Sequence, residues 1–483
     1  MTLLACWLDI VADWQPAFPQ PRTYLRAVRQ ALGGLVCLGR RTLTRIIWTN
    51  GRHRQDWRAE YFLFSRCHWD PALLFASILC RALAYCPGRY VGVAIDDTRL
   101  RKTGTRIQQA FYQRDPLSPK FYVNLMLGLR FLQASLLIPV FRWCKVGCRA
   151  IPIAFEEVSV VKRPRRQGRK GSPGNQFARR PRKRPTPSQD SSLDPQWQQY
   201  LAAKKIHNLS TRFVALAIRL RAAFDAAGAA KKILLLAVDN SFCNRTVFRA
   251  QIRGVELIAR ARKNIVLCFR YEGPSRRFYA KHKFTPEQVR VDDSRAWQTT
   301  KIFYGGKRRK VQYKEVPGVY WQGGARKRPL RLLVVRPTRY RKKKSARFYY
   351  RQPAFLLTTV VNGTVRQLLQ IYFDRWQIEV NHREEKDTLG VGQAQLRNVT
   401  SVPKQPAFAV AAYSALLLAS LKAFGAERGR AYAALPKWRR RAQRPSALDL
   451  ITLLRKEITE NPEMVAHLGL NPTDRGINAA ADA

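Results

Sequence analysis

Apolar residues recur along this chain at two different periods, and the switches between them mark its organisation. Up to about residue 89 the spacing is helical. PRTYLRAVRQALGGLVCLGRRTLTRIIWTNG predicts helices interrupted at Gly33-Gly34, and QDWRAEYFLFSRCHW and PALLFASILCRALAY predict two more. At RYVGVAIDDTRLRKTG the period drops to two. Val91, Val93 and Ile95 alternate with Gly92 and Ala94, which predicts a buried strand ending in Asp96 and Asp97. FYVNLMLGLRFLQASLLIPV predicts two further strands meeting near Gln133-Ala134, and CRAIPIAFEEVSV an additional extended piece. WQQYLAAKKIHNLSTRFVALAIRLRAAFDAAGAA then reads as one long amphipathic helix. Ile233 to Val238 is a continuous apolar strand with Asp239 at its carboxyl end, Asn244 or Thr246 caps the next helix, and GVELIARARKN is another strand. This alternation predicts an α/β fold around a central, partly parallel sheet. Sites in such sheets gather at the carboxyl ends of strands, where Asp97 and Asp239 both fall.

From about 271 to 356 the runs are short, alternating and separated by Gly and Lys/Arg turns, which predicts a β-rich insertion. Thr364 is the expected cap of the helix that follows. YFDRWQIEVNHREEKDTLG, Tyr372 to Gly390, has no proline or internal glycine before its stop. With Tyr372 at zero on a helical wheel, Arg375 falls at about −60°, Glu379 at about −20°, Lys386 at about −40° and Arg383 at about 20°. Ile371, Ile378 and Leu389 form an apolar seam beside this row. His382 sits at about −80°, and Glu384 and Glu385, at about 120° and 220°, point away from it. AFAVAAYSALLLAS is too short and too rich in Ala and Ser for a membrane span and predicts a buried helix. A basic helical tail follows, ending in the polar, fraying NPTDRGINAAADA.

Charge narrows the partner. The 483 residues carry 88 Lys and Arg against 32 Asp and Glu, a net +56, which favours a polyanion, either nucleic acid or an anionic membrane surface. Eleven Trp and eighteen Tyr, many beside Arg, suit stacking on nucleic acid. MTLLACWLDIVADW places acids where a secretory signal would be basic. The nine cysteines form no CxxC pair; Cys144 and Cys148 are four apart and Cys67 precedes His68, but no four-ligand zinc pattern emerges. Free thiols in a reducing cytoplasm are expected. Residues 161–194 are almost free of aliphatics and hold eleven cations between Lys162 and Arg184, a disordered basic loop that adds phosphate affinity. Arg40, Arg41, Arg45, Arg52 and Arg54 cluster at the Thr49-Asn50-Gly51 turn; that region fits either a helix-turn-helix or a helical packing domain with basic edges.

Three carboxylates remain when strand ends and helix row are combined: Asp97 or Asp96, Asp239 and Glu379. Such a set suits two hard divalent cations with oxygen ligands, Mg²⁺ above all, and no Cys or His is required. Strand phase does not choose between the two aspartates. Asp97 continues the phase of Val91, Val93 and Ile95 and Asp96 that of Gly92 and Ala94, and a central strand is covered on both faces.

Tyr372, Arg375, Glu379 and Lys386 fit Tyr-x2-Arg-x3-Glu-x6-Lys, and the chain thereby resembles the DDE transposases of bacterial cut-and-paste insertion sequences. IDDTRL is similar to that family's first acidic motif, VDNSFCN to its second, and GQAQLRN to the stretch after the Glu helix, over roughly residues 90 to 425. The long basic loop and Arg99 depart from the family pattern. The resemblance implies an RNase H-like core in 90–270 and 357–425, a β-rich insertion at 271–356, a helical DNA-binding region at 1–89 and a basic tail at 426–483. It implies catalytic, metal-holding Asp97, Asp239 and Glu379, with Asp96 as the alternative or in support from behind. It also implies phosphate contacts from Tyr372, Arg375 and Lys386, which Arg383 joins by its place on the helix row, and two Mg²⁺ that Mn²⁺ can replace. Its partners would be double-stranded DNA, both transposon ends and target, bound by a homodimer in the cytoplasm with no membrane role. The alternatives are an RNase H-like nuclease without strand transfer and a non-catalytic DNA-binding protein.

Overall fold

The structure, a computed structural model, describes residues 1–470 apart from 116–117, 120, 141–146, 162–163, 165–194, 342–344, 346 and 437–441. The expected basic loop at 161–194 and the fraying end from Asn471 therefore lie almost wholly outside the described residues.

Five helices open the chain: α1 (Leu3–Ala12), α2 (Pro21–Val36), α3 (Leu43–Thr49), α4 (Trp57–Ser65) and α5 (Pro71–Ala82). Their starts are written locally. Thr2, Thr42, Asp56 and Asp70 each accept a first-turn backbone N–H, and proline opens α2 and α5. α2 runs straight through Gly33 and Gly34, where an interruption was expected. A Cβ at Gly33 would stand 2.0 Å from Asn50 Oδ1, so the glycine serves a close approach between segments rather than a break.

The next strands are β1 (Tyr90–Arg101), β2 (Phe111–Arg114), β3 (Leu125–Ile138) and β4 (Arg149–Glu157). β1 does not end at its aspartates but continues to Arg101, because β3 pairs with it along Val93–Arg101. β3 is likewise one strand through Gln133-Ala134, where two were expected, since β1 and β4 hold it from both sides. Instead of one long helix there are two, α6 (Pro195–Ile206) and α7 (Leu209–Ala226). Asn208 Oδ1 accepts from Ser210 N at 2.8 Å and starts the second. β5 (Ile233–Val238), the short α8 (Arg245–Phe248), capped by Asn244, and β6 (Val255–Arg260) follow.

The stretch after β6 contains the hairpin β7 (Leu267–Arg270) and β8 (Tyr279–Phe284), then α9 (Pro286–Val291), β9 (Gln298–Tyr304), β10 (Lys307–Val319) and α10 (Gln322–Ala325). β11 (Leu330–Val335), the small hairpin β12 (Arg339–Tyr340) and β13 (Tyr349–Tyr350), and β14 (Ala354–Thr358) complete it. It is β-rich as expected, yet it is no separate layer. The main sheet has ten strands in the order β2-β3-β1-β5-β6-β14-β11-β10-β9, with β4 also paired to β3. Four strands of the insertion thus extend the sheet and cover the edge that β6 would otherwise expose. β1, β5 and β6 are mutually parallel and the other pairings antiparallel. The protein is accordingly mixed α/β, a mixed sheet flanked by helices.

α11 (Val365–Asp374) starts at Thr364, whose hydroxyl accepts from Gln367 N, and α12 (Trp376–Arg383) continues it into a π-helical turn, Glu384–Thr388. Gly390 stops the run with φ +59°. α11 covers the sheet face that carries Leu235, Ala237 and Ile258; Phe213 and Leu216 of α7 join the core on the opposite face with Leu234 and Leu236. α13 (Ser401–Phe424) has the length and apolar character of a membrane span, but 78% of its most apolar window is buried among α1, α2, α5 and β4. α14 (Ala447–Glu460) and α15 (Glu463–Ala466) close the described chain, and Glu457 accepts from Leu3 N and Leu4 N at 3.0 and 2.6 Å, tying the two ends together.

Candidate active site

The parallel register of β1 and β5 fixes the first two acids. Ile95 stands opposite Val238, so Asp96 and Asp239, the next residue of each strand line, come side by side at the carboxyl end. Asp239 is held by its own turn: Oδ1 accepts from Ser241 N at 2.8 Å and Oδ2 from Ser241 Oγ at 3.2 Å.

The third acid comes from above the sheet. The face of β1 beneath α11 and α12 is the one that carries Gly92 and Ala94. A Cβ at Gly92 would meet Ile371 at 3.0 Å, and Ala94 shares a buried cluster with Ile378. Asp96 belongs to that face by strand alternation. Arg375 joins it to Glu379: Nη2 lies 3.2 Å from Glu379 Oε1 and Nη1 3.9 Å from Asp96 Oδ2. Burial pushes the Asp96 carboxyl up to about 7, Asp239 and Asp97 add to the rise, and Arg375 opposes it. Glu379 is also raised, by burial first, with Arg375 opposing and Asp239 reinforcing.

Asp97, the residue expected to supply the first ligand, stands one strand step from Asp96, whose Oδ1 accepts from the Asp97 backbone N–H at 2.9 Å. It continues the phase of Val91, Val93 and Ile95, and its Oδ2 accepts from Arg130 Nε of β3 at 2.8 Å. The sequence motif distinguished the aspartates by their neighbour Thr98. The structure distinguishes them by the face that α12 covers.

Around the acids stand several of the expected cations. Tyr372 is raised by burial and lies near Arg375, Arg260 and Asp239, with the Arg375 guanidinium 5.9 Å from its ring. Lys386 is lowered by burial and faces Glu385, Asp387, Arg99 and Asp96. Arg383 is exposed. His382 is buried, and that burial, with Lys386 and Arg375 nearby, drives its imidazole down to about 3, so it is neutral near pH 7. Glu384 and Glu385 point away from the row, as expected, into the interior. Glu384 accepts from Tyr413 Oη and from Ala447 N, and Glu385 accepts from Gln133 Nε2 at 2.9 Å. Two cations were missed. Arg130 is the partner of Asp97, and Arg260 follows Ala259, the residue opposite Val238, so it sits beside Asp239. Only a known strand register could have pointed to either.

The donor chemistry of Asp96, Asp239 and Glu379 is all carboxylate oxygen, which fits a hard divalent cation. As the side chains stand, no group of three acids, histidines or cysteines among the described residues is gathered closely enough to hold an ion. The Arg375 guanidinium lies between two of the acids, where a positive charge is electrostatically favoured. No protein-family model matches the chain, and neither does any curated protein.

Proposed function

We propose that this chain is a DNA phosphoryl-transfer enzyme of the DDE transposase kind, which cuts and joins DNA strands at the ends of its own insertion sequence. The single observation that carries the reading is the convergence of Asp96 and Asp239, from adjacent parallel strands, with Glu379 on the helix above, linked through Arg375. Strand order supports it as well. Three antiparallel strands, β4-β3-β1, are followed across the sheet by parallel β5 and β6, an arrangement compatible with an RNase H-like core.

In this reading Asp96, Asp239 and Glu379 would hold Mg²⁺, and Asp97 assists from the opposite face of the strand through its charge. Bound divalent ions supply a polarised water or 3′-hydroxyl and neutralise charge at the leaving oxygen. The remaining work falls to side chains. Tyr372, Arg375, Lys386 and Arg260 ring the acids and grip phosphate oxygens beside the bond to be cut, Arg375 as a planar fork. Neutral His382 adds no charge, and the apolar seam of Ile371 and Ile378 fixes the height of the row above β1. The net charge of +56 supplies the long-range attraction for DNA, with a dimer on paired ends as the proposed assembly.

Arg375 also gives a second reading its footing. A guanidinium that already neutralises two acids is what a non-catalytic DNA-binding protein would need. The deciding experiment offers Mg²⁺ and end-bearing DNA to the wild type and to Glu379→Gln, mapping nicks and joined products separately. Nicking and joining that vanish in the variant support the transposase; nicking without joining makes the protein a nuclease. No metal-dependent cleavage by the wild type would sink both enzymatic readings.

A further inference from the structure

A cleft of about 1270 Å³ lies on the other flank of the α11–α12 helix from the acids. Phe373, Trp376 and Gln377 form its floor, about 60° to 160° around the helix from Glu379. The β9–β10 turn makes one wall, the segments flanking the β12–β13 hairpin another, and Arg444 closes it.

The lining is cationic. Arg309, Lys310, Arg336, Arg339, Arg341 and Arg351 come from the insertion, joined by Arg444, and among the described lining residues the one acid is Asp374. Asp374 is buried and accepts from Gln370 Nε2 at 3.0 Å, and its burial holds the carboxyl well above the usual range. The cationic heads are steadied by neutral partners. Arg309 Nε donates to the Tyr304 carbonyl at 3.0 Å, Arg336 Nη1 to Gln312 Oε1 at 2.7 Å, and Arg444 to Gln377 Oε1. Arg339 lies 4.4 Å from the centre of the Phe348 ring. Among the described residues, Arg309, Lys310, Arg336, Arg339 and Arg444 form no ion pair with a carboxylate. Guanidiniums fixed in place by neutral groups around a concave wall keep their attraction for an external polyanion and lose little freedom on binding one.

We propose that this cleft is a second phosphate-backbone site, which holds a nucleic-acid segment other than the one whose phosphodiester reaches Asp96, Asp239 and Glu379. The inference rests on the nucleic-acid reading above but not on the chemistry at the acids. Successive backbone phosphates are the ligand, and a duplex and an unpaired strand are its two sources.

The test uses full-length Glu379→Gln protein, so that binding is read without cleavage. Into it go either Arg309→Gln, Arg336→Gln and Arg339→Gln together, all exposed, or a control triple of equal charge, Arg89→Gln, Lys231→Gln and Arg253→Gln. The control residues are exposed at the amino ends of β1, β5 and β6. Affinities for a duplex and for a single strand are measured from about 50 to 200 mM salt. The cleft triple should flatten the slope of log K against log salt by roughly 0.9 per lost phosphate contact on a duplex, or roughly 0.7 on a single strand, and the control should not. The substrate on which the slope changes identifies the source. A cleft triple that behaves like the control on both substrates overturns the proposal. A parent protein that binds neither substrate overturns the nucleic-acid reading itself.

Discussion

One step along β1 reverses a side chain, and that step separates Asp96, beneath the helix with Asp239, from Asp97, paired with Arg130. Asp96→Asn is therefore expected to abolish Mg²⁺-dependent nicking, and Asp97→Asn to leave most of it. Weakening the largely buried Asp97–Arg130 pair, whose side chains are 13% and 26% exposed, should cost about 1–3 kcal/mol of stability. Rates on intact and pre-nicked ends decide, and the opposite ranking would return the first ligand to Asp97. Glu385 carries a second prediction at this scale. Its carboxyl is pushed up by burial to about 8, from an ordinary 4.5. Between those values an unfolded chain has lost the proton that the folded one retains, so stability present below about 4.5 is lost as pH rises through 8. Glu385→Gln keeps the acceptor for Gln133 and removes the titration. Wild type should lose more stability than the variant between pH 5 and pH 8, by on the order of 1 kcal/mol or more; parallel denaturation curves would refute this.

At the scale of elements, α2 and the Glu379 helix show how contacts override local propensity. Glycines at Gly33 and Gly34 would weaken an isolated helix by about 1 kcal/mol each, yet α2 persists because Asn50 packs into the space at Gly33 and its Nδ2 donates to the Arg29 carbonyl at 3.2 Å. Gly33→Ala should destabilise by about 1–3 kcal/mol through overpacking, and adding Asn50→Ala should recover part of the loss in urea unfolding. Two strictly additive losses would mean that the contact is not the cause. On the Glu379 helix, Arg375 stands between Asp96 and Glu379 as a resident positive charge. Arg375→Gln should weaken binding to DNA ends about tenfold and, without DNA, tighten Mn²⁺ binding measured by calorimetry. Weaker Mn²⁺ binding in the variant would show that Arg375 organises the acids for the cation instead of competing with it.

Across the whole molecule the charge sets the expectation. With +56 spread over insertion, helices and loop, DNA affinity should fall steeply with salt, by roughly 0.9 in log K per decade for each phosphate neutralised. Deleting Lys162 to Arg184 removes eleven of those cations and should weaken end and random DNA alike. A selective loss of end binding in gel-shift titrations would show that this segment reads sequence.

The sequence by itself determined what is local. Alternation wrote the strand at Val91 and a continuous apolar run the one at Ile233, helical spacing and Thr364 wrote the row of Tyr372, Arg375, Glu379 and Lys386, and composition alone carried the charge. Its misses share one physical cause. Whether Gly33-Gly34 ends a helix, whether β3 breaks at Gln133-Ala134 and whether an insertion stands apart depend on partners distant in the chain: Asn50 for the first, β1 and β4 for the second, the open edge of β6 for the third. Which face of β1 carries Asp96 is settled in the same way. A central strand presents equally apolar faces, so its pattern is silent about which face meets α12. Only the packing of Ile371 on Gly92 and Ile378 near Ala94 turns Asp96 toward Glu379 and leaves Asp97 to Arg130.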